Sequence, residues 1–200
     1  MSEPARFYFD FSSPYSYFAA QKIDRMLEGC GRDCVWKPFL LGALFKLTGS
    51  QPLNTIPLKG AYAEHDWMRL GQMTGTPWTL PDPFPIPTQA AGRAFYWLDD
   101  QDPGLAKRFA LAAFDTYFGR GESIMAPETV VGIAAGLGVD GDALKVALGD
   151  DAVKSRLKDE TQAAIDAGVF GAPFVIVDGE PFWGNDRLWM IKRWLKGQSA

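Results

Sequence analysis

Ser12, Ser13 and Pro14 are the residues near the start of the chain whose types and spacing could do chemistry. Residues 7–11 before them alternate aromatic side chains with polar ones, which predicts a buried strand. From 15 to 27 the apolar spacing becomes helical, and a serine before a proline is a helix-start signal. The free N–H groups of such a helix end favour an anion, a thiolate included. A serine that only caps the helix would give the same pattern, so both interpretations stay open.

A second group of candidate residues lies near the other end of the chain. Ala172 and Pro173 open an apolar run, and a proline at the first position of a strand can be cis, which exposes the backbone of the residue before it. Gly184, Asn185 and Asp186 stand where a last helix should begin. Backbone N–H groups there could hold a carboxylate, and the Asp side chain an ammonium, which suits a small zwitterionic peptide. Simple helix capping by Asn185 and Asp186 is the alternative.

Other chemistries have little support in this sequence. Cys30 and Cys34 are spaced C-x-x-x-C, which is neither a metal-ligand spacing nor a redox C-x-x-C motif, and we expect both to be structural. His65, the single histidine, has helical spacing with apolar neighbours and is expected to pack rather than catalyse. A Ser-His-Asp hydrolase would depend on it entirely, and no G-x-S-x-G turn accompanies it. We therefore expect no metal site.

The composition limits the classes of partner that we expect for this protein. A chain of 200 residues that is 47% hydrophobic can build a substantial core, as one large domain or a domain with an insertion. A net charge of −4 argues against nucleic acid as the main partner, because phosphate neutralisation needs clustered Lys and Arg. The sequence has neither a bilayer-spanning apolar run nor a cleavable leader pattern, so we expect no membrane partner and a cytoplasmic location.

The predicted elements divide the chain into an α/β sheet domain and a helical insertion. Strands are predicted at both ends, two early and two late, and the late pair is joined by the hairpin signal Asp178-Gly179. We place the sheet domain at 1–39 and 168–200, with a flanking helix at 150–167, and the all-helical insertion at 40–149. The strands are predicted at 7–11, 34–39, 172–177 and 180–183. Helices are predicted near 15–27, 40–47, 58–73, 91–98, 105–118, 127–136, 139–148 and 152–167, with a last helix opening at 184–186. The Pro-rich loop 75–87 is apolar and should lie against the core or a ligand.

Three blocks of sequence carry a resemblance to a known family. Residues 7–19 (FYFDFSSPYSYFA), 168–173 (GVFGAP) and 182–188 (FWGNDRL) together resemble the 2-hydroxychromene-2-carboxylate isomerases. That family is related to kappa-class glutathione transferases, and both resemble DsbA-like proteins of the thioredoxin fold. The resemblance covers about residues 5–195 and implies a thioredoxin-like sheet domain with an inserted helical domain.

The resemblance also implies a cofactor, glutathione, and a role for each matching residue. Ser13 matches the catalytic serine, which would donate a hydrogen bond to the glutathione thiolate. Ser13-Pro14-Tyr15-Ser16 stands where DsbA-like oxidoreductases carry C-x-x-C, so disulfide exchange by this motif is excluded. The remaining implied glutathione-binding residues are Asn54, Ala172, Trp183, Gly184, Asn185 and Asp186.

The family implies glutathione-dependent cis–trans isomerisation of 2-hydroxychromene-2-carboxylate or a related aromatic acid, in aromatic hydrocarbon catabolism, by a homodimer. Trp36, Trp78 and Phe84 are candidates for the substrate pocket, and each is equally suited to the core. The loops 42–57 and 78–85 depart from the isomerase pattern, which leaves the substrate less defined than the cofactor. A kappa-like transferase that conjugates electrophiles and a non-catalytic glutathione-binding module are the alternatives.

Overall fold

The computed structural model describes residues 3–197, so residues 1, 2 and 198–200 of the predicted sheet domain lie outside the described part. Within 3–197 the chain forms one four-stranded sheet of strand order β2-β1-β3-β4. Strand β1 pairs parallel with β2 and antiparallel with β3, and β3 pairs antiparallel with β4. The strands span Ala5–Phe9, Cys34–Pro38, Phe174–Val177 and Glu180–Trp183. The prediction of an α/β fold whose sheet is built from both chain ends is confirmed.

Ten α-helices surround this sheet in the described residues. Most lie close to their predicted positions, and the boundaries proposed for two separate domains stay a prediction. In chain order, α1 to α10 span Pro14–Ala20, Ile23–Glu28, Leu41–Thr48, Lys59–Thr74, Gln89–Asp99, Pro103–Phe114, Pro127–Ala135, Gly141–Gly149, Asp151–Asp166 and Leu188–Leu195. Helix α6 runs on into a π-helical turn, Asp115–Gly119, and short 3₁₀ turns occupy Leu53–Thr55 and Asn185–Arg187. No helix of this part of the chain is long and apolar enough to cross a membrane.

Strand β1 is buried on both of its faces. Phe7 and Phe9 lie in the larger core cluster, where Phe9 packs edge-on against Phe95 of α5 and tilted against Phe114 of α6. Tyr8 points into a smaller cluster on the opposite face of the sheet. The alternation in residues 7–11 therefore does not separate a core face from a solvent face, as it would in an antiparallel sheet with one wet side. The sheet and the helical segment share one continuous core.

The single helix predicted from 15 to 27 is wrong in one respect: the segment forms two helices, α1 and α2. Helix α1 ends at Ala20 with Gln21 as its C-cap residue, and Lys22 leaves the helical region with φ −138° before α2 begins. The break changes the direction of the chain so that Ile23 and Leu27 of α2 are both fully buried. The burial of these side chains outweighs the local preference for one uninterrupted helix.

The late hairpin follows its sequence signal. Asp178 and Gly179 both have positive φ, 51° and 82°, as a type I′ turn requires between two twisted strands. Strand β3 starts at Phe174 instead of Ala172, so Ala172 and Pro173 form the bend before it, and their peptide bond is cis.

The Pro-rich loop lies against the core, as its apolar composition predicts. Trp78 stacks on Phe118 at 5.3 Å between ring centroids. Two buried tyrosines fix the loop backbone: Tyr17 donates to the Pro77 carbonyl at 2.7 Å and Tyr117 to the Pro83 carbonyl at 3.0 Å. The loop is therefore held in place from below by α1 and the π-helical turn.

Candidate active site

Ser13 lies where β1 has ended and α1 begins. It is the N-cap residue of α1, with φ −101° and ψ 112°, and its Oγ accepts a hydrogen bond from the Ser16 N–H at 3.2 Å. The same hydroxyl donates to the carbonyl oxygen of Ala172 at 3.2 Å. The structure thus brings together two predicted site residues from opposite ends of the chain. The capping interpretation and the site interpretation are both compatible with this geometry.

The Ser13 hydroxyl can be redirected at small cost. A serine has one proton to donate, and here it is directed at Ala172. At 3.2 Å this bond is long compared with the usual 2.7–2.8 Å or so for O–H···O bonds. An anionic acceptor placed at the start of α1 would form a stronger, charge-assisted bond and would compete well for that proton. Ser13 would keep its cap bond to Ser16, because there it acts as the acceptor.

The hydroxyl of Tyr15, two residues after Ser13, already has a hydrogen-bond acceptor. It donates to Asp66 Oδ2 of α4 at 2.9 Å, and Arg69 holds the other oxygen of that carboxylate. Burial, followed by the bond to Asp66, raises the pKa of Tyr15 well above its ordinary value. A phenol in this state neither ionises near neutral pH nor has a free proton to donate. Ser13 is therefore the better candidate for activating a thiol.

The described residues place no cysteine at this turn. Ser16 is fully buried and its hydroxyl has no hydrogen-bond partner within residues 3–197. Cys34 lies on β2, where burial raises the pKa of its thiol, and Cys30 follows α2. Both are free thiols, and the structural role expected for them stays a prediction.

The segment Gly184–Asp186 does not open an α-helix directly. Asn185–Arg187 forms a 3₁₀ turn, and α10 begins only at Leu188, so the prediction of a helix start at 184–186 is corrected. The Gly184 N–H already donates to the Pro173 carbonyl at 3.0 Å, and Gly184 has φ 111°, a conformation that favours glycine. That bond ties this segment to the bend that holds Ala172.

The polar side chains of this turn differ in their surroundings. Asn185 is buried, and its Oδ1 has no hydrogen-bond partner among residues 3–197. Asp186 is exposed and pairs with Arg187 at 2.8 Å. A buried acceptor without a donor is costly, so Asn185 is suited to receive an N–H from a ligand. The exposed carboxylate of Asp186 adds negative charge next to Asn185, which favours an ammonium group.

Trp183 covers the bend from the edge strand β4. Its ring is 55% exposed and lies edge-on to Phe170 at 4.9 Å between centroids. A Cβ on Gly171 would collide with the Trp183 indole, so only a glycine allows this approach. These two exposed aromatic rings therefore lie together at the surface near the bend that holds Ala172.

Asn54 belongs to a segment of the chain separate from the Ser13 turn and from the Gly184–Asp186 turn. It belongs to the 3₁₀ turn Leu53–Thr55, whose backbone packs against Gly60 of α4. Its Oδ1 is buried and has no hydrogen-bond partner in the described part of the chain. The link from Asn54 to the Ser13 turn runs through α4, whose Asp66 accepts from Tyr15. Its assignment to the site stays a prediction.

The three aromatic candidates for a substrate pocket separate into two groups. Trp36 is a core residue: it is 2% exposed, packs on Phe7 and donates to Asp24 at 2.7 Å. Trp78 and Phe84 are only partly buried. They belong to an aromatic layer beside α1 that also includes Trp67, Tyr17 and Phe118. Only these two remain candidates for contact with a substrate.

Sequence reasoning missed Asp10 as a functional residue and did not predict the loop contact of Ser12. Asp10 is buried and accepts three hydrogen bonds through its carboxylate. The Ser12 hydroxyl accepts the Ile86 N–H at 3.1 Å, so Ser12 anchors the Pro-rich loop and does not cap the helix. An Asp two residues before a serine is a known turn signal, which could have identified the Asp10–Ser12 bond. The other partners are far away in sequence and gave no such signal.

The residues present fit a small zwitterionic thiol peptide. Ser13 supplies a hydroxyl at a helix start, Ala172 supplies the backbone of a cis bend beside it, and Asn185 supplies a buried acceptor that is unpaired within residues 3–197. No group of His, Cys, Asp or Glu that could hold a metal ion occurs in residues 3–197.

The chain belongs to the family of DSBA-like thioredoxin domains, whose sequence pattern matches residues 6–196. The predicted thioredoxin-like, DsbA-related fold is thereby confirmed.

Individual relatives are more informative about the branch of this family. The chain is 29% identical to a 2-hydroxychromene-2-carboxylate isomerase of Pseudomonas putida over 188 residues, covering 93% of this chain and 91% of that protein. It is 28% identical to glutathione S-transferase kappa 1 of Caenorhabditis elegans, covering 92% of this chain and 87% of that protein. The solved structure of a 2-hydroxychromene-2-carboxylate isomerase superimposes with a TM-score of 0.84 at 28% identity, over 99% of this chain and 100% of that one. These relatives support an enzyme of the isomerase and transferase branch.

Proposed function

We propose that this protein is a glutathione-dependent cis–trans isomerase of 2-hydroxychromene-2-carboxylate or a related aromatic acid. The observation that carries the proposal is the Ser13 hydroxyl, which caps α1 and donates to Ala172 across the two ends of the chain. Similarity to 2-hydroxychromene-2-carboxylate isomerases over more than nine-tenths of the chain supports the choice of reaction.

Bound glutathione would supply a thiolate nucleophile for the conjugated acid and would be regenerated by the isomerisation. Ser13 turns its hydroxyl proton from Ala172 towards the sulfur and, with the start of α1, lowers the thiol pKa. The Ala172 backbone aligns the cysteinyl unit. Asn185 and Asp186 hold the γ-glutamyl ammonium, with Gly184 shaping the turn and Trp183 closing the side. Asn54 is assigned to the opposite wall.

The absence of a redox pair at the turn agrees with this chemistry. Ser13 and Ser16 occupy the two positions of the C-x-x-C motif, and a hydroxyl cannot form a disulfide. The site can polarise a thiol that is brought to it, but it cannot exchange disulfides through these two residues.

The test uses purified protein, glutathione and the hydroxychromene, followed by absorbance, with total free thiol measured in parallel. We expect isomerisation that requires glutathione while the thiol concentration stays constant. The matched control is Ser16→Ala, which removes a neighbouring hydroxyl without a bond and should leave the rate unchanged. A Ser13→Ala variant as fast as wild type would contradict the role given to Ser13.

A kappa-like transferase is the second candidate, favoured by the 28% identity to the C. elegans enzyme. It would use the same cofactor site but consume one thiol per turnover. Stoichiometric loss of thiol with an electrophile, and no isomerisation, would establish it in place of the isomerase. Glutathione binding in a calorimeter without either activity would instead indicate a non-catalytic binding module.

The setting of the enzyme completes the proposal. We assign it to aromatic hydrocarbon catabolism in the cytoplasm, where the free Cys30 and Cys34 would stay reduced. A homodimer is part of the same proposal and is tested by light scattering coupled to gel filtration. A mass equal to one chain at micromolar concentration would contradict it.

A further inference from the structure

Asp10 is a buried carboxylate that the proposed reaction does not use. It lies just after β1 and is 4% exposed. Its Oδ1 accepts the Ser12 N–H at 2.7 Å and the Thr88 hydroxyl at 3.1 Å, and its Oδ2 accepts the Leu41 N–H at 2.8 Å. These donors come from segments that are separated by many residues in the sequence.

Each of the three donors belongs to a segment next to the site. Ser12 is part of the turn that presents Ser13. Leu41 is the first residue of α3, which leads into the loop before α4. Thr88 ends the Pro-rich loop and is the N-cap residue of α5. The Ser12 hydroxyl ties the same loop to the turn a second time through the Ile86 N–H.

A carboxylate is the group that this environment requires. All three neighbours are donors, and an ionised carboxyl is an acceptor at both oxygens. A protonated acid or an amide would direct an N–H or O–H at one of these donors and lose that bond. An amide would keep its single oxygen at the Oδ1 position, where two donors converge, and would leave the Leu41 N–H unpaired.

We propose that Asp10 is a positioning residue, whose carboxylate fixes the Ser13 turn in register with α3 and with the Pro-rich loop. The functional part of this inference rests on the proposed glutathione site. The tied residues border the loops 42–57 and 78–85, which depart from the isomerase pattern: Leu41 precedes the first loop, and Ile86 and Thr88 follow the second. Asp10 therefore links the cofactor turn to the parts of the chain that can select the substrate.

Burial and hydrogen bonding act in opposite directions on the Asp10 carboxyl. Burial raises the pKa of Asp10, and the bonds from Ser12, Leu41 and Thr88 offset this only in part. All three donors are satisfied together only by acceptors at both oxygens, so the geometry of these bonds assigns the positioning role to Asp10.

The first experiment measures amide hydrogen exchange by NMR in the protein without ligand. In Asp10→Asn we expect the Leu41 amide to exchange about tenfold faster or more, while the Ser12 amide stays protected. In Asp10→Ala both amides should lose protection. Asp24→Asn is the matched control, because Asp24 is also an acid with two partners, Trp36 and Lys107, but lies away from the turn. It should leave both amides unchanged.

A Leu41 amide in Asp10→Asn that exchanges as in wild type would overturn the proposal, as would equal loss of protection in Asp24→Asn. If Asp10→Ala does not fold, the Asp10→Asn result decides alone. Because no ligand is needed, this outcome is independent of whether the protein binds glutathione.

The second experiment distinguishes an effect on glutathione binding from an effect on the aromatic acid. With Asp10→Asn we expect the glutathione Kd to stay within about twofold, since the Ser12 bond is kept, while KM for the aromatic acid rises severalfold at similar kcat. Asp10→Ala should also weaken glutathione, by about tenfold. Wild-type protein that does not bind glutathione would refute the proposed function and leave the exchange result standing. An unchanged KM in an Asp10→Asn variant that has lost Leu41 protection would refute the link to substrate selection.

Discussion

Replacing Ser13 by alanine should raise the pKa of glutathione bound to this protein. The change removes one hydroxyl with two functions: it accepts from the Ser16 N–H, and it can donate to a thiolate in place of Ala172. A hydrogen bond to a charged group contributes about 1.5–3 kcal/mol, because the charged partner would otherwise be desolvated. At about 1.4 kcal/mol per pKa unit, its loss should raise the thiol pKa by roughly 1–2 units.

Part of the effect should survive in the Ser13→Ala protein. The N–H groups at the start of α1 remain and favour an anion by about 0.3–1 kcal/mol. The thiol pKa in the variant should therefore lie between that of the wild-type complex and that of free glutathione. The same substitution removes the N-cap and should lower the free energy of unfolding by about 1 kcal/mol.

The assay is the ultraviolet absorbance of the thiolate, followed as a function of pH in the saturated complex. Ser13→Thr keeps a hydroxyl and a cap and should titrate near wild type. Ser16→Ala removes a buried hydroxyl that has no hydrogen-bond partner among residues 3–197, so the thiol pKa should not rise and the stability should not fall. A Ser13→Ala complex that titrates like wild type would refute the reasoning, whatever its rate of turnover.

Three further predictions concern other residues. Gly171→Ala should displace the Trp183 ring and raise the glutathione Kd by roughly tenfold, about 1.4 kcal/mol, measured by calorimetry; an unchanged Kd would remove Trp183 from the site. Cys34, whose thiol pKa is raised by burial, should react with a thiol reagent only after unfolding, whereas the half-buried Cys30 reacts in the native protein; two equally reactive native thiols would contradict this. Burial raises the Asp10 pKa above its ordinary value of 3.8, so the folded state binds the carboxyl proton more tightly than the unfolded state does. The stability that this proton contributes is present below the ordinary pKa and is lost as the pH rises through the folded-state pKa. Urea midpoints should fall over that window in wild type and fall less in Asp10→Asn.

The features that the sequence predicts well are encoded within a few neighbouring residues. Ser13 before Pro14 is sufficient to mark the start of α1, because the cap bond spans only to Ser16. Asp178-Gly179 likewise defines the hairpin, since both residues tolerate positive φ. The helices of the middle segment follow from apolar spacing alone.

The features that the sequence does not predict depend on distant partners. The break between α1 and α2 serves the burial of Ile23 and Leu27, and no breaker residue marks it. Asp10 has the polarity of a surface residue in an alternating strand, but Leu41 and Thr88 come to it only in the folded chain. Ser13 and Ala172 were predicted to belong to one site, but the hydrogen bond between them was not predicted. The catalytic role of Ser13 and the cofactor-binding role of Ala172 remain predictions.

The place of β1 in the sheet has a consequence for how the protein is made. Its antiparallel neighbour β3 lies near the other end of the chain, with Phe7 opposite Val175. Ser13 therefore has no Ala172 to contact until almost the entire chain has left the ribosome. Closing a loop of this length is slow, and the edge of β1 that pairs with β3 stays unpaired until β3 has been made. A chain interrupted before β3 should form helices but lack the Ser13–Ala172 contact on which the candidate site depends.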